Sequence, residues 1–596
     1  MAAKNEITVV RITDMSEDGN GIGRCAAGNQ TVQSGGDNRS DMKDPDVSKA
    51  IFVKDTAPGD LAEVKIIKEK KTYAFGRLQR VLEPSAFRVN PVCPVARACG
   101  GCTLQHIDYA EQLRLKEKRV RDCLHRIGGI EEPESLMEPI IGMNDSREKA
   151  GTGASGFTPD GREKAAMDVS GVEPWHFRNK MQFPVGLAKD GSIRIGFYAG
   201  RTHSIIDLDD CATGHPVNRY ILEEVRRWLT KEQKRTGRFI YDEERHSGLI
   251  RHIMTRVGFH TGELMVVPVV NGTWLAKEKK DHERLVDELI RGLQKAVEEY
   301  NGSVFDESGD PGEMNPVSGT SGELNPESGN TAATGKQPTR AEGKRISLTS
   351  VVLNVNTDKT NRILGNMCFT LYGRDHISDM IGENTFLISP LSFFQVNPVQ
   401  TEKLYGKALE FAGLTGNEKV WDMYCGAGTI SLSLAKKAEH VFGVEIVPEA
   451  VENANENARL NGIAHAEFFA GKAEEVVPRL YAENPEKYRA DVVVVDPPRK
   501  GCEASLLDTI LQMAPDKIVY VSCDPATLAR DIRILTGGGY ILQKAAPVDM
   551  FPQTMHVESI ALLERVSNRK ADAKVHIDVD LEDYYRIKDA QGKDGK

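Results

Sequence analysis

The fold is decided by the stretch Lys419–Ile446, which reads KVWDMYCGAGTISLSLAKKAEHVFGVEI. This pattern predicts a buried strand, a turn with a Gly-x-Gly, an amphipathic helix and a second buried strand. The alternation continues with helices at PEAVENANENARLNG and SLLDTILQMA and strands at DVVVVD and KIVYVSC. Apolar strands that alternate with amphipathic helices are typical of a doubly wound parallel sheet. We therefore expect a Rossmann-like α/β domain in the C-terminal part of the chain.

The ends of these strands carry residues suited to a nucleotide-like ligand. A Gly-x-Gly at Gly426 and Gly428 lets the backbone approach a ligand closely. Glu445, which lies 17 residues beyond Gly428, can accept both hydroxyls of a ribose. Asp496 follows the fourth strand in DPPRKG, at the edge where open α/β sheets hold their ligands. S-adenosylmethionine fits this pattern better than NAD because the full G-x-G-x-x-G fingerprint is missing.

A cysteine directly after the next strand has two interpretations. Cys523, in VSCDP, is either a nucleophile that faces the same crevice as Asp496 or a buried packing cysteine. A carboxylate later in the chain, Glu558 in MFPQTMHVES, favours the nucleophile. Amino-directed methyltransferases carry an aromatic residue after such a Pro-Pro. Arg499 stands there instead, which counts against methylation of an exocyclic amine.

Outside this domain the pattern predicts two further domains and three polar insertions. Strand-like alternation before residue 85 indicates a small five-stranded OB-like barrel. The segment that follows it mixes strands with a helix, YILEEVRRWLTKEQKR, as an α+β domain does. Three aperiodic polar stretches are expected to be disordered. The predicted division is the barrel at 1–85 with an insertion at 27–49, the central domain at 86–385 with insertions at 144–171 and 303–344, the Rossmann-like domain at 386–566, and a tail at 567–596.

Composition and charge indicate an ordinary soluble chain whose basic residues are segregated. The 596 residues carry a net charge of −10, yet residues 51–130 hold 15 Lys and Arg against 9 Asp and Glu. A basic working face for nucleic acid is therefore compatible with the acidic average. No apolar run reaches the length of a membrane span, and the N-terminal segment has no signal-peptide core. We expect a cytoplasmic monomer without membrane contact.

These strings together resemble the RNA uracil-5-methyltransferase family, the enzymes that make 5-methyluridine in ribosomal and transfer RNA. The matching strings are SFFQVNP from Ser392 to Pro398, DMYCGAGTISL, DPPRKG, VSCDPATLARD and FPQTMHVE. They occur in the family's order and at its spacing. The resemblance covers nearly the whole chain outside the insertions, and it implies a multidomain α/β enzyme with a class I methyltransferase domain.

The resemblance also implies a role for each matching residue. Cys523 is expected to be the nucleophile that adds to carbon-6 of the uracil, and Glu558 the general base that removes the carbon-5 proton. The target base is expected to flip out of its stack. Phe394 is equally compatible with stacking on a ligand and with the core, and Thr429 is assigned no role because some members have Asn there. The residues expected to hold S-adenosylmethionine are Gln395, Tyr424, Glu445 and Asp496.

Four of the ten cysteines are predicted to bind a metal centre. Cys93, Cys99 and Cys102 cluster in the sequence, and Cys211 matches the family's distant fourth ligand. Four thiolates suit a [4Fe–4S] cluster. Structural zinc is the competing interpretation, although zinc sites usually pair their ligands as two close couples. We interpret Cys25, Cys123, Cys368, Cys425 and Cys502 as structural.

The N-terminal barrel resembles a TRAM domain, a small RNA-binding module. Its last strands carry cations that are expected to follow RNA phosphates: Lys65, Lys68, Lys70, Lys71, Arg77 and Arg80. A solvated face is the alternative interpretation of these charges. In the central domain, Arg178, Asn179 and Lys180 match a recurring family string and are candidates to line the RNA channel.

The family resemblance also bears on the RNA substrate and on the functions that compete with uracil methylation. The barrel and the four cysteines favour 23S ribosomal RNA, because the shorter transfer-RNA type lacks both, and transfer RNA is the alternative. A cytosine-5-methyltransferase is disfavoured because Arg499, and not a cysteine, follows Pro498. A non-catalytic RNA-binding or ribosome-assembly factor is the alternative from another class. It would be expected to have lost Cys523, Glu558 or Gln395, and all three are present.

Overall fold

The computed structural model describes residues 4–25, 49–143, 174–200, 202–272, 279–305 and 344–566. The predicted insertion 144–171 and the tail 567–596 lie outside the described residues, as does the insertion 27–49 except for Lys49. Most of the third predicted insertion, 303–344, also lies outside them. Its first residues, Ser303 and Val304, belong to a helix, α4 (Lys279–Val304), so the prediction of disorder is wrong for these two. Within the described residues, no helix combines the length and the apolar character that crossing a membrane requires.

The N-terminal segment forms the predicted five-stranded barrel. Its strands are β1 (Ile7–Met15), β2 (Gly21–Cys25), β3 (Ala50–Val53), β4 (Leu61–Glu69) and β5 (Tyr73–Glu83). They close in the order β1-β2-β3-β5-β4. Every second side chain points inward, so the barrel core is small and aliphatic, with Val10, Ile51, Val64 and Ile66 at 0–1% exposure. The strand alternation in the sequence follows directly from this inward and outward pattern.

The central part of the chain is the expected α+β unit, built on a seven-stranded mixed sheet. The sheet order is β12-β11-β10-β9-β6-β7-β8, and two helices pack against it and each other. Its strands are β6 (Lys180–Leu187), β7 (Ile193–Tyr198), β8 (Ile205–Asp207), β9 (Ile250–Val257), β10 (Glu263–Val270), β11 (Ser347–Val355) and β12 (Met367–Gly373). The helices are α3 (Val217–Thr236) and α4. A hairpin of β13 (Ile377–Ile381) and β14 (Asn384–Ile388) then leads to the C-terminal sheet.

The C-terminal unit is a seven-stranded α/β sheet in the order β17-β16-β15-β18-β19-β21-β20. Its strands are β15 (Lys419–Asp422), β16 (His440–Glu445), β17 (Ala466–Ala470), β18 (Val492–Val495), β19 (Lys517–Ser522), β20 (Tyr540–Val548) and β21 (Glu558–Arg565). Its helices are α5 (Pro398–Ala412), α6 (Thr429–Ala435), α7 (Pro448–Leu460), α8 (Ala473–Glu483), α9 (Ala504–Met513) and α10 (Pro525–Gly537). The predicted parallel pairing is correct for β15 to β19, and β21 is the strand of this sheet that runs the other way. β21 runs antiparallel to both β19 and β20.

The segment between the barrel and the central sheet packs on the C-terminal unit. It contains α1 (Tyr109–Arg126) and α2 (Pro133–Leu136), and Val120 and Leu124 of α1 belong to the same buried core as β15 and β18. Two isolated bridges, Met137 to Ala545 and Ile141 to Val548, extend the sheet beside β20. This segment therefore fixes the end of β20 and the loop that follows it.

Candidate active site

The candidate site lies at the carboxyl ends of the central parallel strands. β15 ends at Asp422, β16 ends at Glu445, Asp496 directly follows β18 and Cys523 directly follows β19. These strands are neighbours in the sheet, so their ends meet at one edge. The predicted residues from four different motifs therefore come together where open α/β sheets bind ligands.

The first turn of the sheet is shaped for close approach to a ligand. Gly426 and Gly428 have positive φ angles of 53° and 81°, which cost glycine little. A Cβ atom at Gly428 would come within 3.2 Å of Ala454 and 3.3 Å of Phe468. The Gly426 amide donates to Glu445 Oε2 at 3.2 Å, and the amide of residue 447 donates to Oε1 at 2.9 Å. The carboxylate of Glu445 is thus held in place, with further lone pairs available to accept hydroxyls.

A second carboxylate near this turn was not assigned a role from the sequence. Asp422 is buried and accepts a hydrogen bond from Ser431 Oγ at 2.5 Å, while its Oδ1 has no partner within the described residues. Burial raises the pKa of Asp422 to about 6, and the charge of Glu445 adds to the rise. The sequence did contain a signal for Asp422, because it is the last residue of the first strand in the stretch Lys419–Ile446.

The nucleophile and base candidates are adjacent because β21 returns beside β19. In the antiparallel register Ser522 pairs with Ser559 at the end of the ladder, Cys523 and Glu558 are the next residue on each chain segment, and their side chains interact electrostatically. Glu558 is 4% exposed, whereas Cys523 is partly exposed. The two motifs are separated by more than thirty residues in the sequence, and the return of β21 is what joins them.

The pKa values of Cys523, Glu558 and Asp496 are all raised above their usual ranges. Burial raises the pKa of Glu558 to about 8, with Asp496 adding to the rise and Arg499 opposing it. Burial also raises the pKa of Asp496 to about 7, with a contribution from Asp422. The pKa of the Cys523 thiol rises to about 11, first through burial and then through Glu558 and Asp496, while Arg499 lowers it. Arg499, which replaces the aromatic residue of amino-directed enzymes, is therefore the cation that favours the thiolate.

The remaining predicted ligand residues are Tyr424, in the first turn of the sheet, and Gln395, in the loop before α5. Tyr424 follows β15 and is partly buried, and burial raises the pKa of its phenol. Gln395 is 9% exposed, and its backbone carbonyl oxygen accepts a hydrogen bond from Asn179 Nδ2 at 2.9 Å. This bond joins the central sheet to the loop before α5. Thr429, which the sequence left without a role, shares a hydrogen bond with Tyr405 Oη at 2.8 Å.

The two rings of SFFQVNP have opposite environments. Phe394 is 3% exposed and packs against Phe386, with ring centroids 6.3 Å apart, so its interpretation as core is correct. Phe393 is 68% exposed. The sequence offered no signal to choose between them, because the segment is a loop without periodicity.

A cluster of cations lies between the central sheet and the same loop. The cluster consists of Arg178, Lys180 and Arg256. Burial lowers the pKa of Lys180 to about 8, and the positive charges of Arg256 and Arg178 contribute to the decrease. Arg256 donates to the Ser392 carbonyl oxygen at 2.5 Å, and its Nε has no partner within the described residues. No carboxylate of the described residues pairs with these three cations. The sequence analysis predicted Arg178 and Lys180 as RNA-contacting residues. It did not identify Arg256, which lies within an apolar strand.

The four predicted metal-binding cysteines are neighbours, but the structure does not confirm a metal site. The thiols of Cys93, Cys99 and Cys102 each interact electrostatically with that of Cys211. An isolated bridge from Cys99 to Ala199 brings the first segment beside the end of β7. Within the described ranges, however, no three His, Cys, Asp or Glu side chains are arranged as ligands of one metal ion. The structure therefore shows proximity without ligand geometry.

The fold and this edge define an α/β methyltransferase with an N-terminal RNA-binding module. Residues 382–566 match the family model described as tRNA (Uracil-5-)-methyltransferase, and residues 4–79 match the TRAM domain. The chain is 41% identical to an uncharacterized RNA methyltransferase of Halalkalibacterium halodurans over 94% of this chain and 97% of the relative. It is also 41% identical to one of Clostridium tetani, over 87% and 92%.

A solved structure shows the same overall fold. The tRNA (uracil-54, C5)-methyltransferase of Pyrococcus abyssi, in complex with S-adenosyl-L-homocysteine, aligns with a TM-score of 0.59. It is 24% identical and covers 93% of this chain and 99% of its own. The chain belongs to the RNA methyltransferase family of these relatives, and its residues 382–566 match the uracil-5-methyltransferase model.

Proposed function

We propose that this enzyme methylates carbon-5 of a specific uridine in RNA, most consistently 23S ribosomal RNA, through a covalent bond between Cys523 and the uracil. One observation carries the proposal. β21 returns antiparallel beside β19, so Glu558 and Cys523 adjoin the last pair of the ladder and interact electrostatically with each other and with Asp496. A nucleophile and a separate base on one edge suit a reaction that needs both an addition and a proton removal.

The proposed chemistry uses the two residues in sequence. The Cys523 thiolate adds to carbon-6 of the uracil, and the resulting enolate makes carbon-5 nucleophilic. After carbon-5 has accepted a methyl group, Glu558 removes its proton, the double bond re-forms and the thiolate leaves. Because the pKa of Cys523 is raised, its proton must first move to a neighbouring acceptor, and Arg499 stabilises the thiolate. This first proton has to pass on to solvent, so that Glu558 is a carboxylate again when carbon-5 gives up the second proton.

S-adenosylmethionine fits the edge because the edge carries four carboxyl groups and Arg499 is the cation that acts on it. Within the described residues, Asp422, Glu445, Asp496 and Glu558 form no ion pairs, and two of these residues have strongly raised pKa values. A ligand with a sulfonium and an ammonium group would neutralise this charge. We propose that Gln395, Tyr424, Glu445 and Asp496 hold it, where it supplies the methyl group.

RNA is proposed to approach along the cationic cluster at the central sheet. Arg178, Lys180 and Arg256 have no carboxylate partners within the described residues, which is favourable for phosphate. The choice of 23S ribosomal RNA rests on the barrel and the four cysteines. Transfer RNA remains the competing substrate, and mapping the product separates the two.

We propose that Cys93, Cys99, Cys102 and Cys211 hold a [4Fe–4S] cluster with a structural role. Four soft thiolates in a three-plus-one arrangement suit such a cluster. Arg178 lies near the thiols of Cys102 and Cys211, where its charge would balance that of the cluster. Anaerobic purification should yield a brown protein with iron and sulfide. Stoichiometric zinc in a colourless protein would contradict this assignment and leave the methyltransferase proposal intact.

The function is tested by the release of tritium from carbon-5. Total RNA labelled with [5-³H]uridine is prepared from a strain that lacks this gene and incubated with the protein and S-adenosylmethionine. We expect tritium in water only when both cofactor and Cys523 are present, and the mapped 5-methyluridine names the substrate. Tight RNA binding without release from ribosomal or transfer RNA would favour the non-catalytic RNA-binding factor.

A further inference from the structure

The outer face of the barrel carries a cluster of aromatic rings that the barrel core does not need. Phe52 of β3 and Tyr73 and Phe75 of β5 have ring centroids 5.6–5.7 Å apart. All three are partly exposed, whereas the alternate residues Ile51 and Ala74 face inward at 1% exposure. The core is thus complete without them.

The strand pairing orders these rings into a continuous surface. β3 and β5 are parallel, with Phe52 beside Phe75 and Ala50 beside Tyr73. Tyr73 meets both phenylalanines edge-to-face, at interplanar angles of 81° and 86°. All three rings keep part of their surface exposed to solvent, and exposed aromatic rings suit the stacking of bases.

Unpaired cations border the rings along the next strand. In the β4–β5 register Lys68 pairs with Phe75, and Lys65 pairs with Arg77 two pairs further along, beyond Ile66 and Gly76. None of these three cations forms an ion pair within the described residues. By contrast, Arg80 is paired with Glu63 at 3.1 Å.

The acidic neighbour of the rings is neutralised. Glu69 accepts from Lys49 at 2.6 Å, so its charge does not oppose an anion at this face. Aromatic rings beside unpaired cations combine the two elements by which OB-type folds bind single strands: stacking for the bases and charge for the phosphates.

We propose that Phe52, Tyr73 and Phe75 form a stacking platform for an unpaired segment of the RNA substrate, with Lys65, Lys68 and Arg77 contacting its phosphates. The proposal rests on the proposed function in that the segment belongs to the methylated RNA. A regular duplex does not fit, because its bases are already stacked on one another and present no free faces to the rings. The platform lies in the barrel, so it holds RNA beyond the target nucleotide.

The test uses the full-length protein and a fluorescent, unstructured oligoribonucleotide of about 12 nucleotides, within the site size of OB-type domains. Tyr73→Leu and Phe75→Leu keep an apolar side chain but remove the ring. Each is expected to weaken binding by about 5- to 150-fold, which corresponds to the loss of one stacked base. Tyr73→Phe keeps the ring and should bind like the unaltered protein, as should Phe87→Leu, which alters an exposed ring outside the barrel strands.

Salt dependence separates the two kinds of contact. Lys68→Gln should reduce the slope of log K against log salt by about 0.7, the value for one phosphate of a single strand. Tyr73→Leu should leave the slope unchanged, and Lys234→Gln on α3 serves as the matched surface control. Equal slopes for Lys68→Gln and the unaltered protein would overturn the proposed phosphate contact.

Photo-crosslinking keeps the platform falsifiable if a variant fails to fold. With 5-iodouridine in the oligonucleotide, the unaltered protein should crosslink through the peptide that contains Tyr73 and Phe75. Crosslinks only elsewhere, or leucine variants that bind within twofold of the unaltered protein, would overturn the platform. Ring-dependent binding without tritium release would instead contradict the proposed function and leave the platform standing.

Discussion

The ion pair between Lys116 and Asp549 joins α1 to the loop that leads from β20 to Glu558, and both side chains are fully buried. Lys116 also donates to the Phe551 carbonyl oxygen at 3.0 Å, and Asp549 accepts from Tyr109 Oη at 2.7 Å. Removing one partner of a buried pair leaves the other charge uncompensated, which costs about 3–5 kcal/mol. We therefore expect Lys116→Met to lower the free energy of unfolding by that amount. Lys116→Met/Asp549→Leu should recover much of it.

Urea unfolding followed by tryptophan fluorescence measures this effect, because Trp421 is buried in the core of the C-terminal sheet. The two single variants and the double variant form a double-mutant cycle. Lys472→Met is the matched control, since it removes an exposed pair with Glu475 and should cost about 0–1 kcal/mol. A double variant that costs the sum of the two single variants would refute the reasoning that an uncompensated buried charge sets the cost.

Three further predictions concern the reaction and its cofactor. Cys523→Ala should abolish tritium release while calorimetry shows nearly unchanged affinity for S-adenosylmethionine; retained release would contradict the covalent mechanism. Since the pKa of Glu558 is raised to about 8, the carboxylate fraction grows with pH. The rate of tritium release should therefore rise between about pH 7 and pH 9, and a flat profile would argue against Glu558 as the base. Gly428→Ala should weaken S-adenosylmethionine binding at least about tenfold, because its Cβ would crowd the first turn. Gly462→Ala, with a φ of 66° and open space around it, should share the backbone strain and bind normally.

The parts of the fold that depend on local pattern could be predicted from the sequence. The helix at 220–235 and the strands that end at Asp422 and Glu445 follow from periodicity and turn residues, and the structure agrees with them. The helix after the first turn is shorter than predicted, ending at Ala435. Such patterns depend on neighbours in the sequence, so they are visible without any tertiary information.

The parts that depend on pairing between distant residues could not be predicted in this way. The direction of β21 is set by its pairing with β19. The apolar pattern of a buried strand does not indicate whether it pairs parallel or antiparallel. Arg256 lies in an apolar strand, and its acceptor, the Ser392 carbonyl, is 136 residues away. The burial of Phe394 and the exposure of its neighbour are likewise decided by packing against Phe386. Gln395 and Tyr424 were singled out by the family resemblance, whereas Cys523, Glu445 and Asp496 were also indicated by their positions at the ends of strands.

The most direct test of the covalent mechanism is to trap the intermediate with Glu558→Gln. This variant keeps the shape of the side chain but cannot accept the carbon-5 proton, so release of the thiolate should stall after methyl transfer. Incubation with substrate RNA and S-adenosylmethionine, nuclease digestion and peptide mass spectrometry should find a methylated uridine nucleotide bound to Cys523. Normal product release without an adduct, or an adduct on another cysteine, would contradict the account.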